Sequence, residues 1–100
     1  MIKLTNPIKV SKLCKNFKLK YYGKDQYIYE FGPLSSVKKN ILSFTNKDLN
    51  FTNKILIQKK RNKSKSNTLI IHKNPRLLFC KILNFFIEKK LIKSSIKKNI

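Results

Sequence analysis

The chain has no alanine and no tryptophan, two glycines, one histidine and only four acids, Asp25, Glu30, Asp48 and Glu88. Its two cysteines, Cys14 and Cys80, lie far apart with no CxxC pair and no histidine nearby. That spacing offers neither a zinc site nor a redox motif and reads as buried free thiols in a reducing compartment. The longest unbroken apolar run, Leu77 to Cys80, falls far short of a membrane span, and the opening MIKLTNPIKVSKLCK lacks the apolar centre of an export signal. A cytoplasmic protein is expected. The single histidine, His72, has no Ser, Asp or Cys spaced to form a base–nucleophile pair with it and reads as structural. No catalytic residue, metal or cofactor is implied.

What is abundant is lysine, isoleucine and asparagine, at 22, 13 and 11 of 100 residues. That length makes one domain, able to bury about two thirds of its unfolded surface without metals or bridges. Lys and Arg total 24 against the four acids, a formal charge of +20, which ordinarily points to nucleic acid or an anionic membrane. Only Arg61 and Arg76 are arginine, however, whereas a surface selected for phosphate draws Arg for its bidentate fork. Lys, Asn and Ile are the residues of A- and T-rich codons, so most of the charge reads as lysine on solvated faces. A small basic RNA- or DNA-binding protein is the rival reading. It rests on the charge, the basic stretch KKRNKSKSN at 59–67, and Tyr21, Tyr22, Tyr27 and Tyr29 as stacking faces. No nucleic-acid motif accompanies them, and the tyrosines alternate as strand residues do, which argues against nucleic acid as a partner.

Between Ile8 and Leu19 the apolar Val10, Leu13, Cys14 and Phe17 share one stripe of a short helix with Ser11 near its start. LKYYGKDQYIYEF reads as two short strands, or a strand and an approach to one, around the turn Gly23-Lys24-Asp25, ended by Gly32-Pro33. Ser35 to Asn40 reads as a single helical turn, followed by strands at 41–44, 54–58 and 68–72. The basic stretch 59–67 between the last two is expected to be a solvated loop. Asn74 is placed to cap, and Pro75 to occupy the first position of, a helix running to about Lys90. In that helix Leu78, Phe79, Cys80, Ile82, Leu83, Phe85, Phe86 and Ile87 cover more than half the circumference. A surface helix buries a stripe of about 100°, so part of this arc is expected to meet a second partner: another helix, another subunit or a missing domain. Fully burying the eight side chains is worth at most about 12–24 kcal/mol before entropy.

Two blocks carry a family resemblance. In the first, Leu34, Val37, Asn40, Leu42, Ser43 and Phe44 stand at the spacings of a Leu, a small apolar residue, a Gly or Asn, and an "IsF" strand. In the second, Ile71, Asn74, Pro75, Arg76, Leu78, Phe79, Lys81, Ile82 and Leu83 follow a "v.NPr.aFakil" pattern. Together with the Gly23-Lys24-Asp25 turn, they resemble the N-terminal, non-repeat domain of the UDP-3-O-acylglucosamine N-acyltransferases of lipid A synthesis, over residues 8 to 88.

The resemblance implies an α/β fold, a small mixed sheet flanked by helices, similar to the uridine-binding domain of murein ligases. Residues 1–90 would form that domain, and 91–100 a basic tail or linker. Its partner would be a UDP-acylglucosamine-type nucleotide sugar, with Phe44 stacking on uracil and Asn46 and Phe51 contacting the uridine. The family's Asn and Tyr fall at Lys47 and Asn50 here, so Asn46 and Phe51 each stand one residue off. In a strand, that offset turns a side chain to the other face. Acyl transfer in this family belongs to a homotrimeric β-helix of hexapeptide repeats that receives the acyl group from acyl carrier protein. No such repeat occurs in these residues, so this chain alone is expected to bind rather than catalyse.

Overall fold

The computed structural model describes residues 2–33, 39–45, 54–60 and 67–93. They form a mixed α/β fold: β1 (Ile2–Lys9), α1 (Val10–Phe17), β2 (Lys20–Tyr22), β3 (Tyr27–Phe31), β4 (Ile41–Phe44), β5 (Ile55–Gln58), β6 (Thr68–Ile71) and α2 (Pro75–Glu88). The strands make one six-stranded sheet in the order β1-β3-β4-β5-β6-β2. β3 to β6 run parallel, and antiparallel β1 and β2 close the two edges. The runs ILSF, ILIQ and TLII are nearly continuous in apolar residues because both faces of the parallel strands are covered. Ile55, Ile57 and Ile70 enter the main core, while alternation sends Leu56 and Leu69, paired in register, to the opposite face, where they are also buried.

Both helices lie on one face of the sheet, where Phe17 of α1 meets Phe85 of α2 edge-on, their ring centroids 5.3 Å apart. The apolar arc of α2 is sorted by this packing. Leu78, Ile82 and Phe86 are buried, and Phe79, Leu83 and Phe85 are half-buried against the sheet and α1. Only Cys80 and Ile87 of the eight are exposed. The sheet covers more than the expected stripe because Phe31 and Phe44 reach up to Phe79, and Phe17 covers Phe85 from the side. Of the partners expected for the excess, another helix is present: α1, which meets the arc through Phe17 on Phe85.

Strand β3 carries an irregularity that serves the core. Between the bonds Tyr29 N–H to Asn40 C=O and Gly32 N–H to Leu42 C=O, β3 advances one residue more than β4. Such a bulge reverses the alternation. Ile28 and Phe31, an odd number of residues apart, consequently both enter the same core.

Several expectations are corrected. β1 was not legible from its sequence, and it occupies residues expected to precede or begin the first helix. α1 starts at Val10 and ends at Phe17, inside the expected 8–19. The last strand stops at Ile71, short of His72, and α2 stops at Glu88. Cys80 is exposed rather than buried, because it points away from the sheet on the outer face of α2, whereas Cys14 is buried as expected. Asn67 is buried, not part of a solvated loop: its side-chain oxygen accepts the Lys54 N–H at 2.8 Å, bracing β6 against the start of β5. The start of the expected tail is also held, since Thr5 N–H donates to Leu91 C=O and Lys93 N–H to Lys3 C=O along the outer edge of β1. Residues 35–38 of the expected turn at 35–40, Leu34 and Val37 of the first block, most of the basic stretch, and 94–100 lie outside the described residues.

Candidate functional site

In open α/β sheets, ligands bind beyond the carboxyl ends of the parallel strands. Here that edge carries Gly32 and Pro33 after β3, Phe44 and Thr45 at the end of β4, Lys59 and Lys60 after β5, and His72 to Asn74 between β6 and α2. Phe44 is half-buried, and its ring is tilted against Phe79 with centroids 5.0 Å apart. Phe31 meets Phe79 edge-on at 6.1 Å. The three rings border an open hollow of about 300 Å³, completed by Ile2, Gly32, Pro33 and Leu83. That volume is at the small end of ligand pockets.

The strand ends that carry this hollow are tied together by polar bonds. Ser43 Oγ donates to the Gly32 carbonyl at 2.8 Å, and Thr45 N–H donates to the Ile57 carbonyl at 3.0 Å. Asn40, at the other end of β4, has φ 63°, a left-handed conformation in which Gly and Asn are the least strained residues. Its Nδ2 donates to the Tyr27 carbonyl at 2.7 Å while its own carbonyl accepts Tyr29 N–H. The Gly-or-Asn position of the first block thus has a backbone reason.

His72 and Asn74 shape the entry to α2. His72 Nδ1 lies 2.9 Å from the Asn74 backbone nitrogen and 3.1 Å from the Asn74 carbonyl oxygen, and Asn74 Oδ1 accepts Leu77 N–H at 3.3 Å. His72 therefore has a structural job, as its sequence context indicates. Lys59, Lys60, Lys73 and Arg76 are all exposed on the segments following β5 and β6, giving this edge positive charge. Of the sequence-predicted site residues, Phe44 borders the hollow, and Asn46 and Phe51 lie outside the described residues. Phe31 and Phe79, which back Phe44, were visible in the sequence only as apolar residues of a strand and a helix.

The tyrosines do not form one platform: Tyr22 on β2 is separated from Tyr27 and Tyr29 on β3 by three strands. Among the described residues no group of His, Cys, Asp or Glu is placed to hold a metal ion, and no helix is long and apolar enough to cross a membrane. No family model, curated protein or solved structure matches the chain.

Proposed function

We propose that this chain is a nucleotide-sugar-binding module of the kind found at the N-terminus of UDP-3-O-(3-hydroxyacyl)glucosamine N-acyltransferases. It binds in the cytoplasm and performs no acyl transfer itself. The observation that carries the reading is the position of Phe44, half-buried at the carboxyl end of a parallel strand beside an open aromatic hollow. Uracil stacks on the free face of Phe44, with Phe79 behind it. The diphosphate runs toward the lysines that follow β5 and β6, where exposed ammonium groups offset its charge. Acyl carrier protein and the trimeric state belong to a β-helix partner.

Titration of the isotopically labelled chain with UDP-N-acetylglucosamine tests this. Saturable NMR shifts at Gly32, Phe44 and Phe79 are expected. Stacking of a base on an aromatic ring is worth about 1–3 kcal/mol, so Phe44→Leu, which keeps the apolar contact with Phe79, should weaken binding about five- to 150-fold. Shifts confined to surface lysines, or equal affinity for the variant, would refute it.

A further inference from the structure

A second and larger hollow, of about 460 Å³, lies near the opposite end of α2 from Phe79, between β1, α1 and the last turn of α2. It exists because β1 is bulged. β1 runs from Lys3 to Ile8 while its partner β3 runs only from Glu30 to Ile28, so the excess residues arch away from the sheet. Pro7, which has no N–H to donate to a ladder, sits in that arch. Thr5 anchors it through its N–H and its hydroxyl, both donating to the Leu91 carbonyl at 2.9 and 3.0 Å. Two bonds from Thr5 to one carbonyl therefore fix the margin of the hollow at Leu91.

Its walls are apolar, made by Pro7, Ile8, Phe85, Phe86 and Leu91. Its rim is cationic. Lys9 and Lys12 line it, the Lys9 ammonium lies 5.5 Å over the Tyr27 ring, and the Lys89 ammonium lies 5.9 Å over the Phe85 ring. Among the described residues no carboxylate lines it; Glu88 precedes Lys89 at the end of α2 without lining the hollow, and Asp25, the acid nearest in sequence to Lys9 and Lys12, is bonded to Ser11.

We propose that this hollow binds a small amphiphilic anion, an apolar body of medium-chain acyl size bearing one carboxylate. The apolar walls take the body, and the volume falls in the range of ligand pockets. The lysine rim takes the head group and selects against a cation of the same shape. Exposed ammonium groups contribute little each, so burial of the body supplies most of the affinity and the rim supplies the preference. This site is distinct from the hollow at Phe44 and does not depend on the nucleotide reading.

Titration of the labelled full chain with octanoate, octan-1-ol and octylammonium tests the proposal. Saturable shifts at Ile8, Lys9, Tyr27 and Phe85 are expected, in the affinity order octanoate, octanol, octylammonium. Lys9→Glu with Lys12→Glu should cost octanoate about tenfold, from two weak ion pairs reversed, and should favour octylammonium instead. Leu91→Trp, at a partly exposed position of the wall, should fill the hollow and abolish binding of all three. Shifts in β5 and β6 that match the parent chain establish that each variant is folded. Equal binding of octanoate and octylammonium, shifts spread over lysines all round the molecule, or binding that survives Leu91→Trp would each overturn it.

Discussion

The carboxylate of Asp25 caps a helix that begins well before it in sequence: Oδ1 accepts the Ser11 N–H at 2.8 Å and Oδ2 accepts the Ser11 hydroxyl at 2.6 Å. The residue at the cap position of α1 is Lys9, which makes no side-chain cap bond, so the helix takes its cap from the turn between β2 and β3. The same turn reaches β6, because Thr68 Oγ1 donates to the Lys24 carbonyl at 2.6 Å and accepts from Gln26 Nε2 at 2.8 Å. One short turn thereby fixes a helix to both a central and an edge region of the sheet.

Removing that carboxylate should loosen α1. Asp25→Ala is expected to cost about 0.5–1 kcal/mol, the lower part of the capping range, because the pair is exposed. The Ser11 hydroxyl, foremost, and then the Ser11 N–H and nearby Lys9 hold the Asp25 carboxyl below its usual value. A lowered folded-state pKa contributes stability that is complete above the unfolded value and lost as pH falls through the folded one. The difference in melting temperature between parent and variant should therefore be present at neutral pH and shrink below the ordinary carboxylate range. A gap unchanged from neutral to strongly acidic pH would show that the charge plays no part.

Gly23 cannot be replaced cheaply. Its φ is +102°, and a Cβ there would sit 2.4 Å from the Asn67 carbonyl oxygen and 3.2 Å from Thr68 Cα. Both obstacles are backbone, so relief requires the turn to part from β6. Gly23→Ala is expected to destabilise by about 2 kcal/mol or more, from left-handed strain plus the displaced contact. The urea midpoint measures it, and a loss below about 0.5 kcal/mol, the scale of an ordinary surface change, would refute the close approach.

The central parallel strands and α2 were legible because each announces itself locally: short apolar runs, and Asn74-Pro75 ahead of a long apolar arc. The ends of α1 and α2 were not. The backbone turns left-handed at Lys18 and Lys90, with φ 56° and 57°, where glycine is the usual signal and this chain has lysine. β1 was hidden for a different reason. Its arch breaks the period-two alternation, and Leu4 is its one buried residue. Phe44 at the candidate site was recognised through its place in a motif, whereas the hollow beside it depends on Phe31 and Phe79 being brought together from distant segments. Strand pairing across such distances leaves no local trace.

The two thiols should separate chemically. Burial, aided by the negative charge of Asp25, pushes the Cys14 thiol up to about 11, while Cys80 is exposed on α2. At pH 8 only about one Cys14 in a thousand is thiolate, and the thiolate is the reactive form. Iodoacetamide should add one adduct to the native chain, at Cys80, and a second only in denaturant. Mass spectrometry of the two samples decides it, and prompt double labelling of the native chain would mean that the face of α1 carrying Cys14 is not packed into the core.

Two isoleucines on α2 test how that helix is turned about its axis. Ile82 is fully buried in the main core, and Ile87 is 45% exposed. Ile82→Ala removes buried methyl and methylene groups and leaves a cavity, at a cost of about 2–4 kcal/mol. That is a large fraction of the roughly 5–15 kcal/mol that holds a domain folded. Ile87→Ala loses little burial and gains helix propensity, so it should stay within about 0.5 kcal/mol of the parent. Urea midpoints for the two variants should differ several-fold in their displacement. Equal displacements would mean that the apolar arc is shared evenly around the helix, and that its outer side is covered by something other than water.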